Sequence, residues 1–288
     1  MHRTILGAIA LAVLSLLIDV HAGRAQDKKL LETKGFGSLS GTITLKGDVP
    51  VPADLTQLMK GHTDAKCCLD EKAKAIEKVK QDWVVDPKTK GVANVVVWVM
   101  PPAGTYFEIH PKLKDRKKSK VVIDQPHCAF LPYVSAYQPY YYDGKEMVAT
   151  GQELILKNSA TVPHNVRAVG DGKIQDGFNI NVPAKTDFNA TKDLPENKKL
   201  KAQFMPLPIQ CDIHTWMAAK LYVFDHPYYA ITKADGSYSI PNVPAGAQVI
   251  LMVHHGEAGW VLPQLKKGLP IMIKAGGNTV MDFTVKAP

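Results

Sequence analysis

Between Gln210 and Met217 the chain reads Gln-Cys-Asp-Ile-His-Thr-Trp-Met, which sets Cys211, His214 and Met217 at a C-x2-H-x2-M spacing. Forty-seven residues upstream of Cys211 lies His164, within Val162-Pro163-His164-Asn165-Val166. A thiolate is a strong soft donor, an imidazole a borderline one and a thioether a weak one. Two imidazoles and a thiolate with a long axial thioether are the donor set of a type 1 (blue) copper centre, so one copper held by His164, Cys211, His214 and Met217 is the expected cofactor. Zinc fits the set less well, because it rarely recruits a thioether. Three ligands on one short loop make the geometry depend on loop length, and the fourth ties that loop to a distant strand.

The elements that must position these side chains are short strands. The ligand loop falls between candidates at 201–204 and 220–224, and His164 opens a candidate at 164–168. Further candidates lie at 121–124, 130–137, 153–157 and 186–190, mostly separated by Gly, Pro, Asn or Asp, which is the pattern of an antiparallel sandwich or barrel. Upstream, residues 39–46 alternate polar and apolar, and 92–100 form a β-branched run that should be a buried strand. A third block of strands is expected at 229–232, 237–240, 248–254, 271–274 and 279–285. Residues 70–80 are the one clear helix-favouring run, and Lys112–Lys120, with six basic residues and one acid, reads as an exposed linker. The Tyr137–Tyr142 stretch reads as a surface loop.

The loop Cys211-Asp212-Ile213-His214-Thr215-Trp216-Met217 resembles the ligand loop of amicyanin/plastocyanin-like cupredoxins, and Pro163-His164-Asn165 resembles the segment that carries their first histidine. The resemblance covers residues 118–226 and extends to Asp124-Gln125, Phe130, Pro132 and Gly151-Gln152-Glu153-Leu154. It implies a Greek-key cupredoxin sandwich, an electron-transfer role, the four copper ligands above and an outer contact for Asn165, whose side chain would pin the ligand loop. It also implies that the edge of His214 is exposed in an apolar docking patch, to which Trp216 and Pro163 would contribute. Asp212 departs from the family, which has a neutral residue there.

Asp235-Gly236-Ser237-Tyr238-Ser239-Ile240-Pro241-Asn242-Val243-Pro244-Ala245-Gly246 resembles the carboxypeptidase regulatory-like (transthyretin-like) β-sandwich. Strands of the kind that open such domains, at 40–45 and 94–99, occur before the copper-site region. The expected organisation is therefore one discontinuous sandwich from residues 37–111 with 227–288, and a cupredoxin domain at 118–226 inserted into it. The fold class is all-β throughout.

Four cysteines are too few for a disulfide scaffold. With Cys211 assigned to the metal, Cys128 is expected to pair with Cys68 or with Cys67. A second metal site from His62, Cys67 and Cys68 is the alternative. His254-His255 reads as a surface pair and His226 as a structural residue.

Residues 1–25 read as a signal peptide: a basic start, an apolar run from Ile5 to Val20 and Gly23-Arg24-Ala25 for cleavage. Its removal would lower the formal charge from +8 to +7. The mature chain is expected to be periplasmic or secreted, with no membrane span. A positive surface suits an acidic redox partner or a cytochrome. The basic runs lack interleaved aromatics, so nucleic acid is not an expected partner. There is no G-x-G-x-x-G, G-x-x-x-x-G-K, H-E-x-x-H or G-x-S-x-G, and no His-x-His pair for a multicopper oxidase, so an enzyme is not expected. The leading function is one-electron carriage. Copper storage or delivery, and a structural or carbohydrate-binding module, are the alternatives.

Overall fold

Alternation in Phe36–Lys46 puts Leu39, Ile43 and Leu45 on one face, and all three are buried. Val95–Met100 instead buries both faces, which is why it reads as a continuous apolar run. Val96 and Trp98 enter one hydrophobic cluster, while Val95, Val97 and Val99 enter a second. The computed structural model describes residues 28–261 and 266–287; the leader expected at 1–25 lies outside them. The described chain is all-β, built from several sheets around these two clusters. No helix among the described residues is long and apolar enough to cross a membrane.

Two sheets enclose the first cluster. One runs in the order Gly177–Val182, His164–Val169, Leu207–Gln210, Ala218–Val223, Val134–Tyr137; the other runs Thr186–Asn189, Glu153–Asn158, Lys120–Asp124. Most pairings are antiparallel, but Ala218–Val223 with Val134–Tyr137 and Lys120–Asp124 with Glu153–Asn158 are parallel.

Strands from the two ends of the chain share the remaining large sheets. Phe36–Lys46 pairs with Ser237–Pro244, Asn278–Val280 and Phe283–Lys286. Val95–Met100 pairs with Tyr229–Ile231 and Gln248–His255. Gly236, at φ +77°, turns the chain into Ser237–Pro244; a Cβ there would stand 2.2 Å from the Ile43 carbonyl oxygen, so this turn admits only glycine.

Several local expectations are corrected. Residues 70–80 hold a single 3-10 turn, Ala75–Lys78. The run has no apolar stripe to bury, and backbone bonds from Lys80 N to Ala53 O and from Leu55 N to Lys78 O draw it out against residues 53–55. The helical turns sit earlier, at Thr56–Lys60 and Ala65–Cys68. The strand expected at 201–204 lies instead at Leu207–Gln210, and Gly177–Val182 is an additional strand. Asn94, at φ +64°, separates Val92 from Val95–Met100 and shortens the expected strand. The Tyr137–Tyr142 stretch is not a loop: Tyr140–Tyr142 pairs with Met147–Ala149 as a hairpin, and Tyr141 is buried in the second cluster. His254 and His255 are buried rather than superficial, because both faces of Gln248–His255 are covered.

Candidate metal centre

His164 opens the second strand of the five-stranded sheet, and the central strand beside it, Leu207–Gln210, delivers the chain directly into Cys211. Residues 211–217 then form a tight loop before Ala218–Val223. The Cys211 amide donates to the Met217 carbonyl at 3.3 Å, and the Met217 amide donates to the His214 carbonyl at 2.9 Å. The loop thereby folds back on itself and brings its first and last expected ligands together. The His214 amide points at the Cys211 sulfur, N to Sγ 3.5 Å.

All four expected ligands are buried, His214 completely. His214 Nδ1 lies 3.9 Å from Cys211 Sγ, and the His164 and His214 rings are 4.6 Å apart between centroids. Met217 is packed in the same cluster as Cys211. Cys211 is a free thiol. His164 Nδ1 lies 3.3 Å from Asn158 Oδ1, while its Nε2 is buried without any hydrogen-bond partner. An orphaned buried nitrogen is uncommon in a finished protein interior, and it is a lone pair available to a metal.

Burial, with His214 beside it, pushes His164 down to about 3. Burial and then the neighbouring His62 also lower His214, against an upward pull from Asp64. Both rings are therefore neutral at physiological pH, the state in which imidazole ligates metals. Neutral imidazoles, a thiol able to ionise on a metal and a thioether fit a soft, borderline ion such as copper.

Asn165 sits next in sequence to His164 and reaches across to the loop. Its Oδ1 accepts the Asp212 amide at 2.7 Å and lies 3.2 Å from Cys211 Sγ. Its Nδ2 donates to Asp212 Oδ2 at 3.0 Å. Asp212 also accepts from Asn179 at 2.9 Å and pairs with Arg167 Nε at 3.0 Å, so its charge is compensated on the outer side of the loop.

The outer edge of His214 is roofed, which corrects the expectation of an exposed docking edge. Nε2 lies 3.1 Å from Asp64 Oδ2, and the His62 ring stands 4.5 Å away between centroids. Trp216 packs edge-on against both rings, and its indole N–H donates to the Cys128 carbonyl at 3.1 Å. Segment 62–68 is held in place by a disulfide between Cys68 and Cys128, sixty residues apart. Closing a loop of that length is worth about 4 kcal/mol of stability in the chain-entropy account. Of the two partners open to Cys128 the bond takes Cys68, and Cys67 is a buried free thiol. A metal site from His62, Cys67 and Cys68 is thereby ruled out as drawn, since Cys68 has no thiolate to give. The bonded sulfurs nevertheless lie within 4.8 Å of a ring nitrogen of His214.

Asp64, Asn158 and Arg167 touch the site and carry no sequence signal of it, and His62, a candidate only beside Cys67 and Cys68, lies against His214 instead. Asp64 and His62 belong to a segment that matches neither resemblance. Asn158 closes a strand whose alternation points only to packing.

No family model matches this sequence, and no curated protein matches it. Among solved structures, a purple cupredoxin from Nitrosopumilus maritimus aligns with a TM-score of 0.25 and 14% identity, over 37% of this chain and 99% of that one. So weak a likeness lends nothing to the reading of the site, which stands on its own geometry.

Proposed function

We propose that this chain is an exported type 1 copper protein that carries single electrons between redox partners. The observation that supports it is that buried His214 stands between two other expected ligands, its ring 4.6 Å from that of His164 and its Nδ1 3.9 Å from Cys211 Sγ, with Met217 in the same hydrophobic cluster as Cys211, a neutral, unpartnered nitrogen on His164 and a free thiol on Cys211. His164, Cys211 and His214 would hold the metal and Met217 would be the weak axial donor. Bound copper supplies a one-electron couple whose two states need similar ligand positions. The chain's part is to keep those positions fixed. Asn165 ties the cysteine end of the loop to the histidine strand, and Asp64 holds the His214 ring by its outer nitrogen so that Nδ1 faces the thiol.

In this reading residues 118–226 form the copper domain, inserted into a carboxypeptidase regulatory-like sandwich made from 37–111 and 227–288. The strand pairing between Phe36–Lys46 and Ser237–Pro244 supports that division. Periplasmic or secreted residence suits the disulfide. The partner is an acidic redox protein or a cytochrome, and no catalytic turnover is assigned. Copper storage or delivery is the second reading. It is favoured by the roof over His214, which lengthens the path from the metal to a docked partner.

Loading the full chain with Cu(II) is expected to give an intense absorption at about 600 nm from charge transfer between the cysteine thiolate and copper, with the narrow EPR splitting of such sites. A colourless copper-loaded chain, or a Cys211→Ser variant that stays blue, overturns the proposal. A fast, reversible electrochemical couple separates carriage from storage.

A further inference from the structure

The roof over His214 is itself a set of metal donors. His214, Asp64 and His62 each offer a ligand atom, and these atoms all lie within 4.8 Å of one another. We propose that they form a second cation site, selective for a borderline divalent ion of the zinc type, on the outer side of the ligand loop. The proposal goes beyond the copper reading and shares only His214 with it.

Distances support the assignment. Asp64 Oδ2 is 3.1 Å from His214 Nε2 and 3.7 Å from His62 Nδ1. Donors at ordinary zinc distances around a tetrahedral ion stand about 3.3 Å apart, so the cluster needs little rearrangement. Two imidazoles and a carboxylate are a common zinc donor set that leaves a fourth position for water. Here that position faces outward, since His62 and Asp64 are each about one-quarter exposed, at 25% and 24%.

The donors are also held in place beforehand. His62 Nδ1 accepts the Asp64 amide at 3.2 Å, so its lone pair already points to the Asp64 side; the ion would take the place of that amide. The disulfide at Cys68 anchors the segment, and Trp216 walls the apolar side of both rings. Donor softness sorts the two metals. The thiolate and thioether lie on the inner side of His214, and the nitrogen and oxygen donors lie on its outer side.

His214 would join the two sites. Its Nδ1 faces Cys211 and its Nε2 faces Asp64. An ion bound at Nε2 would displace the proton that Nε2 shares with Asp64, one proton to solvent for each ion bound, and would so alter the same imidazole that faces Cys211 on its inner side.

The test is calorimetric and optical titration of the copper-loaded full chain with Zn2+. One equivalent is expected to bind, with one proton released to the buffer and the blue band retained but displaced in wavelength. His62→Ala and Asp64→Ala should each weaken zinc binding by more than the roughly 10–100-fold that loss of an outer contact costs, and His62→Ala, which removes no contact that orients the inner donors, should stay blue. A His164→Ala/Cys211→Ser double variant, with circular dichroism to confirm folding, lacks the inner donors and should still bind one Zn2+ in a manner that depends on His62. This arm is readable even in a chain that never turns blue, so failure of the copper reading is distinguishable from failure of this one. The proposal is overturned if copper-loaded protein takes up no Zn2+ at millimolar concentration, if zinc bleaches the band by displacing copper, or if zinc binding survives both roof variants.

Discussion

His164 and His214 lie between a sheet and its ligand loop, with ring centroids 4.6 Å apart, while His254 and His255 stand side by side on one strand of the other large sheet system. Both pairs are almost wholly buried. Burial depresses the basicity of all four, to about 3 for His164 and about 4 for His254 and His255. Neither burial nor a depressed pKa separates the two pairs. What separates them is what the nitrogens meet. His254 Nδ1 shares a hydrogen bond with the Tyr222 hydroxyl at 2.7 Å, and His255 Nδ1 accepts the Ala258 amide at 3.1 Å. Their rings pack on Trp260 and Trp83 respectively. His164 Nε2 meets nothing, and His214 Nδ1 meets a thiol. A perturbed histidine is thus a weak pointer to a site, and an unfilled buried lone pair or a neighbouring thiol is a stronger one.

The widest separation between the pairs should come from alanine at each. His164→Ala is expected to abolish the blue band of copper-loaded protein. His255→Ala should keep the band and cost about 2–5 kcal/mol of folding stability through the cavity it leaves. Absorbance and urea denaturation on the same samples read both, and a blue His164→Ala or a bleached His255→Ala breaks the distinction.

Acid should separate them next. His254 and His255 titrate at about 4 in the folded chain, against about 6.5 unfolded. The unfolded state therefore binds more protons between those values, so stability falls as pH drops from about 6.5 towards 4. Going from pH 7 to pH 5 should cost about 2 kcal/mol for each residue, seen as lower urea midpoints. Copper bound in the folded chain would displace protons from its ligands, the Cys211 thiol included, while the unfolded chain still binds them, so copper loading should make the pH profile steeper while the blue band persists. Identical profiles with and without copper would contradict the assignment.

The smallest effects come from the neighbours. Asn165→Ala should weaken copper retention against a chelator roughly 10–100-fold. Tyr222→Phe should cost about 1 kcal/mol and leave the copper spectrum unchanged. Equal spectral effects from the two variants would erase the difference between a metal-supporting contact and a structural one.

The candidate ligands were legible in the sequence because their chemistry is rare and their spacing local: three within seven residues, and a fourth opening a strand. The sharing of sheets between chain ends was hinted at by the turn at Asp235-Gly236. The roof was not legible. Asp64 and His62 reach His214 through a disulfide and long-range backbone bonds that no periodic pattern announces. Leu207–Gln210 was hidden by Pro206 and Pro208, which read as breaks. Pro208 nevertheless fits its strand, facing outward opposite Lys220. The buried state of His254 and His255 depends on Trp83 and Trp260, and nothing near the pair in the chain foretells Trp83.

The pairing of Phe36–Lys46 has a consequence for the order in which the molecule can be assembled. Apart from a single bridge between Thr44 and Gly91, its strand partners among the described residues come from residues 237–286. While a ribosome or an export channel delivers the chain from its N-terminus, this eleven-residue strand emerges early and waits for most of the remaining sequence. An unpaired strand edge invites association with other chains. The segment that carries the candidate ligands is complete by Val223, before those partners exist. The interior unit can therefore form first and hold the two ends near each other, and the outer sheets close last.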